Sequence, residues 1–255
     1  MKWNEVPVTL KEISLVVGSE YILDNLSLDF NPSSVTVLMG GSGCGKSTVL
    51  KAAAGLTPLS SGNVFYGDQS VYGLNQKDYA RMQQNTGFMF QDGALWANKS
   101  IYDNLSLPII ISDNSVKPEQ VEKQVMEALS TFNMEFAANL RPAALSAGEK
   151  KIISFLRAII TDPDILFLDE PTSFIDRRSS LTLMKNLFRF KDEGRTVIMV
   201  THDLKLARTL GDYVVFMHDR KVELKGTVED CSRSENTLWR TFIEDSQSDA
   251  AELKG

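Results

Sequence analysis

The chain has 255 residues, 43% of them hydrophobic and 24% charged, with a formal net charge of -6. That balance fits one large globular domain or a domain carrying an insertion, and the carboxylate excess argues against nucleic acid as a main partner. Two cysteines, Cys44 and Cys231, build no disulfide framework, the opening MKWNEVPVTLKE lacks a signal peptide's apolar run, and no apolar stretch reaches the roughly 20 residues that span a bilayer. The expected setting is the reducing cytoplasm, and work at a membrane then needs another chain to hold this one there.

To about residue 33 apolar and polar residues alternate ("ISLVVG", "LSLDF"), as in half-buried antiparallel strands. "SVTVLMG" (34–40) is a continuous apolar run that enters a glycine-rich loop, and "GFMFQ" (87–91) is another that ends on Gln91. A helical insertion is expected at about 93–162; within it "PEQVEKQVMEALSTFNM" places Val121, Val125, Leu129 and Phe132 on one face. "DILFLDE" (164–170) ends on Asp169 and Glu170, and "TVIMVTHD" (196–203) contains His202 just past its apolar run. Such runs read as strands buried on both faces of a parallel sheet, with their polar residues at the carboxyl edge, where open α/β sheets bind ligands. "YVVFMHDRKVELKG" (213–226) reads as a hairpin with His218 in its surface turn. Residues 1–243 form one domain in this reading, and 244–255 are a polar, disordered tail.

"GGSGCGKST" holds G-x-x-x-x-G-K-[ST] as Gly40, Gly45, Lys46 and Ser47, after a strand and opening a helix. Gly40, Gly41, Ser42, Gly43, Cys44 and Gly45 would curl their N–H groups round a phosphate, with Cys44 a small filler. Lys46 adds a cation, Ser47 can ligate Mg²⁺, and Thr48 follows in the helix. Asp169 and Glu170 point to opposite sides of an extended backbone, so Asp169 can serve the Mg²⁺ while Glu170 orients and deprotonates a water. Gln91 is a metal or water contact at its strand end, and His202 faces the γ-phosphate. Asp176 either caps the next helix or shares in the site. In "LSAGEKKIISFLRAI" (145–159), Ser146 and Glu149 have capping-box spacing, but Gly148 costs a helix about 1 kcal/mol against alanine and is left unexplained by a cap. A bare helix start is also an anion site.

Walker A "GGSGCGKST", Q-loop "FQ", signature "LSAGE", Walker B "ILFLDE", D-loop "SFID" and switch "TH", in that order, resemble the nucleotide-binding subunit of ABC transporters over about residues 7–228. The resemblance implies a P-loop α/β fold with a mostly parallel core sheet, an N-terminal antiparallel subdomain and an inserted helical one. It implies ATP and Mg²⁺ as cofactors and a second copy of the chain as partner. Ser146 and Gly148 would then meet the γ-phosphate held by the second copy, which would explain the bare turn. Two departures stand out: Ala147 and Glu149 replace the usual glycine and glutamine, and Val17 stands where an aromatic usually stacks on adenine, with Tyr21 the nearby substitute.

"FQDGALWANKSIYDNLSLPI" (90–110) resembles the ATPases of Mla-type phospholipid transport systems, which work with MCE-domain proteins. The stretch Gly93–Trp96 and the pair Asn104 and Pro108 carry that likeness, as does "LWRTFIED". It implies an integral-membrane permease bound through the region around Leu95–Pro108, an MCE-domain protein reached through it, and a peripheral position on the inner face of the cytoplasmic membrane. A polar-solute importer, a lipoprotein-release ATPase and a soluble ATPase of iron–sulfur cluster assembly share the six motifs.

Overall fold

The computed structural model describes residues 2–252, with side chains to Ser246. The chain begins with an antiparallel pair, β1 (Val8–Val17) and β2 (Glu20–Phe30). β3 (Val35–Gly40) leads through the glycine-rich loop into α1 (Lys46–Ala53). β4 (Ser61–Tyr66) and β5 (Gln69–Ser70) return to the first sheet, whose order is β2-β1-β4-β5. α2 (Gln76–Gln84) and β6 (Thr86–Met89) precede three helices, α3 (Ile101–Ser112), α4 (Pro118–Ser130) and α5 (Ala147–Ile159). Then come β7 (Ile165–Asp169), α6 (Arg177–Asp192), β8 (Thr196–Val200), α7 (Leu204–Leu210) and the hairpin β9 (Tyr213–His218) with β10 (Lys221–Thr227). α8 (Val228–Ser232) and α9 (Thr237–Glu252) close the described chain. The second sheet has the order β10-β9-β3-β8-β7-β6 and is parallel except for the β9–β10 pair.

The apolar runs are continuous because both faces of this sheet are covered. Val35, Val37 and Met39 of β3, Leu166 and Leu168 of β7, and Val197 and Met199 of β8 pack into one core with α3–α7. The residues between them (Leu38, Ile165, Phe167, Ile198 and Val200) pack into a second core under the antiparallel sheet and α1. Strand alternation thus divides each run between two apolar layers.

The expected face of α4 is buried with Ile101, Leu105 and Phe155, and Phe132 meets Phe155 edge-on at 6.2 Å between centroids. α9 departs from expectation. Trp239 and Phe242 anchor it on Phe216, at 5.2 and 5.3 Å between centroids, and the Trp239 indole donates to the Cys231 carbonyl at 2.7 Å. Helix propagates from that anchor, so the stretch from residue 244, read from composition as disordered, carries helical backbone to Glu252. Residues 253–255 lie outside the described residues. No described helix is long and apolar enough to cross a membrane.

Candidate active site

Parallel pairing places the carboxyl ends of β3, β8, β7 and β6 along one edge, in that order. The glycine-rich loop, His202, the Asp169–Glu170 pair and Gln91 follow these four ends, so one sheet edge gathers residues up to 162 positions apart (from Gly40 to His202).

Gly45 caps α1 with a left-handed backbone (φ +97°) and brings no side-chain cap, leaving the first helical N–H groups available to an anion. Lys46 is buried, and its ammonium donates to the carbonyls of Gly40 (2.8 Å) and Gly41 (2.7 Å) and lies 3.7 Å from Cys44 Sγ. Cys44 is buried as a small filler. A cleft of about 170 Å³ beside the loop is lined by Ile22, Gly43, Gly45, Lys46, Ser47 and Thr48.

Ser47 Oγ donates to Asp169 Oδ1 at 3.0 Å, joining the first turn of α1 to the end of β7. Asp169 is buried, and that burial pushes its carboxyl up, with Ser47 and nearby lysines opposing. Two hard oxygen ligands beside a phosphate loop suit Mg²⁺, which takes one or two protein oxygens and leaves the rest of its shell to phosphate and water. Among the described residues no cluster of three His, Cys, Asp or Glu exists to hold a metal without such help.

Glu170 turns away from the strand with a positive φ of 51°. Its side chain is 11% exposed, and His202 Nε2 lies 3.0 Å from its Oε1. Burial, opposed by Lys151 and reinforced by Asp169, pushes the Glu170 carboxyl up to about 7. Burial also holds His202 below its ordinary value, with Lys46 adding to the effect. Oε1 is buried with no aligned hydrogen-bond donor, and His202 Nε2 is the polar atom recorded beside it. A carboxyl pushed up towards neutrality is what a general base requires.

The capping box at the start of α5 is formed. Glu149 Oε2 accepts from the Ser146 N–H (2.8 Å) and hydroxyl (2.6 Å), and the Glu149 N–H donates to Ser146 Oγ (3.3 Å). The Ser146 bonds hold the Glu149 carboxyl below its ordinary value. Gly148 has a cause within the chain: a Cβ there would stand 2.6 Å from the carbonyl oxygen of Phe174. Glycine at 148 is therefore required by the chain's own loop, whatever else approaches the turn. Ser146 and Ala147 beside it are exposed. Asp176 caps α6, accepting from the Arg178 and Ser179 N–H groups at 2.8 and 3.0 Å.

Gln91 is exposed and makes no hydrogen bond to the Ser47–Asp169 pair. Tyr21 is exposed at the β1–β2 hairpin next to Ile22 of the cleft, and its carbonyl accepts from Arg220. In the Leu95–Pro108 region, Leu95 is partly buried against the helical core, whereas Trp96 is 42% exposed. Asn104 is fully buried and brackets Trp96, accepting from its N–H at 2.8 Å and donating to its carbonyl at 3.3 Å. Sequence reasoning passed over Lys151, whose buried ammonium reaches the Glu170 carbonyl. It also passed over Arg157, which donates to the Ala94 and Gly93 carbonyls and stacks over Trp96 at 5.2 Å. The available signal was a cation inside an apolar helix face.

A family model described as "ABC transporter" matches residues 23–173. The chain is similar to the methionine import ATP-binding protein of Clostridium tetani, with 30% identity covering 88% of this chain and 70% of that protein. It is as similar to the intermembrane phospholipid transport system ATP-binding protein of Haemophilus influenzae, 30% identical over 94% of this chain and 91% of that one. Among solved structures, the dimeric cassette MJ0796 superposes with a TM-score of 0.80 at 29% identity, over 87% of this chain and 98% of that one. Its post-hydrolysis dimer bound to ADP and Pi gives 0.79 at the same identity and coverage.

Proposed function

Because the chain belongs to the ABC transporter family and is an ATP-hydrolysing subunit of that kind, we propose that it pairs head to tail with a second copy around two ATP and drives a membrane permease that moves phospholipid between membranes. The observation that carries the pairing is an incomplete site. The polar groups of Ser146 are engaged only within their own turn, while Ser146, Ala147 and Phe174 (81% exposed) face outward. In this reading the phosphate loop from Gly40 to Thr48 holds the triphosphate, Ser47 and Asp169 carry Mg²⁺ with Gln91 joining when nucleotide is bound, and Tyr21 lies against adenine. Bound there, Mg²⁺ would supply neutralisation of the phosphates' charge. Glu170 takes the proton of the attacking water, and His202 holds it and the γ-phosphate in place.

The permease would dock in a groove of about 730 Å³ whose lining includes Gln83, Phe88, Phe90, Trp96, Pro108 and Arg157. Its aromatic floor suits an amphipathic helix. Phospholipid as cargo rests on the "GALW" stretch and on the near full-length likeness to the Haemophilus influenzae protein, with an MCE-domain protein engaged through the permease. The equal identity to a methionine import protein keeps a polar-solute importer as the second reading. Purifying the tagged chain from its native membrane and identifying the co-purifying permease and any retained lipid decides between them: an MCE-associated permease supports the first, and a solute-binding-protein-dependent permease the second.

A further inference from the structure

Lys151 is 3% exposed, a buried charge at the point where α5 turns from its polar first turn to its apolar body. A buried ammonium must be hydrogen-bonded, and this one spends its bonds on a single loop. Nζ donates to the backbone carbonyl of Glu170 and to the hydroxyl of Ser173. Ser173 Oγ donates to the same carbonyl at 3.0 Å, and the Ser173 N–H approaches it at 3.4 Å. The loop is one that sequence alone would not hold: Glu170 and Phe174 both carry positive φ, 51° and 64°. For a non-glycine residue that backbone conformation is strained. Lys151 also stands 6.0 Å from the Phe174 ring centroid, and Gly148, one turn earlier, abuts the Phe174 carbonyl. α5 therefore grips the loop at two points, through a contact and through a cation. A methionine would fill much of the same space without desolvating a charge, so the cation points to a need for defined geometry.

We propose that Lys151 is a positioning residue for hydrolysis: it ties the loop carrying Glu170 to the helix whose first turn meets the second copy's nucleotide, so that docking at one site sets the base of the other. This rests on the head-to-tail reading above. Lys151 touches neither nucleotide. It acts through the Glu170 carbonyl and Ser173, whose hydroxyl relays the same restraint.

The test uses the full chain and compares Lys151→Met, Lys151→Gln, Ser173→Ala and the Met/Ala double variant in ATP turnover, in affinity for a fluorescent ATP analogue and in Tm. Lys151→Met should lower kcat on the order of tenfold, with analogue affinity within twofold of wild type. Lys151→Gln, which keeps a donor, should recover part of the loss. The double variant should be no slower than Lys151→Met alone, because both act through one loop. Unchanged kcat in a folded Lys151→Met, losses that multiply in the double variant, or a lower Tm with kcat intact would each overturn the proposal. If Lys151→Met does not fold, Lys151→Gln and Ser173→Ala decide it: a kcat loss in both supports it, and wild-type kcat in both overturns it. Glu170→Gln serves as control. Wild-type turnover there sinks the catalytic reading itself, whereas its loss alongside an unaffected Lys151 series sinks only the present proposal.

Discussion

Glu170 Oε1 and His202 Nε2 lie 3.0 Å apart, just beyond the ends of adjacent strands β7 and β8, with the glutamate enclosed and the histidine about half exposed. Glu170→Gln keeps the size and contacts of the side chain but removes its basicity. Turnover should fall on the order of 100-fold or more, ATP binding should persist, and ATP-bound dimer should accumulate on gel filtration. Turnover at the wild-type rate would remove Glu170 from its role.

The pH dependence follows from the same group. A base acts only when ionised, so with its carboxyl at about 7, kcat/KM for ATP should rise with pH to that region and flatten above it. Stability runs the other way. The folded state holds the Glu170 proton more tightly than the unfolded chain does, so a cost of ionisation appears between the ordinary glutamate value and about 7 and persists above. Glu170→Gln should therefore raise Tm more at pH 8 than at pH 5. An equal change at both pH values would show that Glu170 titrates as an ordinary surface glutamate.

Gly148→Ala sets helix propensity against close packing. Propensity favours alanine by about 1 kcal/mol, whereas a Cβ 2.6 Å from the Phe174 oxygen forces the helix and loop apart at a cost of about 1–3 kcal/mol. The expected result is a lower Tm together with slower turnover. A higher Tm would mean that the contact is not held in solution.

Glu149→Gln retains an acceptor for Ser146 while removing a negative charge from the turn assigned to the second copy's γ-phosphate. In a Glu170→Gln background, the ATP concentration that half-saturates dimer formation should drop several-fold, as expected for losing one nearby like charge. No change would place the carboxylate outside the phosphate's reach.

Trp96 and Leu95 should respond differently, although they are neighbours. Trp96→Ser strips an exposed wall of the groove and should abolish permease co-purification while leaving Tm nearly unchanged. Leu95→Ser should lower Tm, because Leu95 packs on the helical core. Full retention of the permease by Trp96→Ser would move the docking surface elsewhere.

The strands that build the site were legible because their runs are almost wholly apolar and each leads into a distinctive loop or polar residue. The phosphate loop was legible for the same reason, since its spacing demands a strand before it and a helix after it. Gly148 was only half legible. The capping box could be read from spacing, but the Phe174 carbonyl that forbids a side chain is 26 residues away and shows only in the packed chain. Lys151 was hidden because the partners that allow its burial, the Glu170 carbonyl and the Ser173 hydroxyl, leave no local pattern. The end of α9 was misjudged from polarity, since Trp239 and Phe242 settle the fate of a helix whose later residues look indifferent to structure.

Lys46 gives the phosphate loop a character of its own. Its ammonium rests on the Gly40 and Gly41 carbonyls, so in the proposed reading a phosphate would compete with backbone oxygens for it and would not meet a bare cation. The swap trims the net gain of capture and softens the loss on departure.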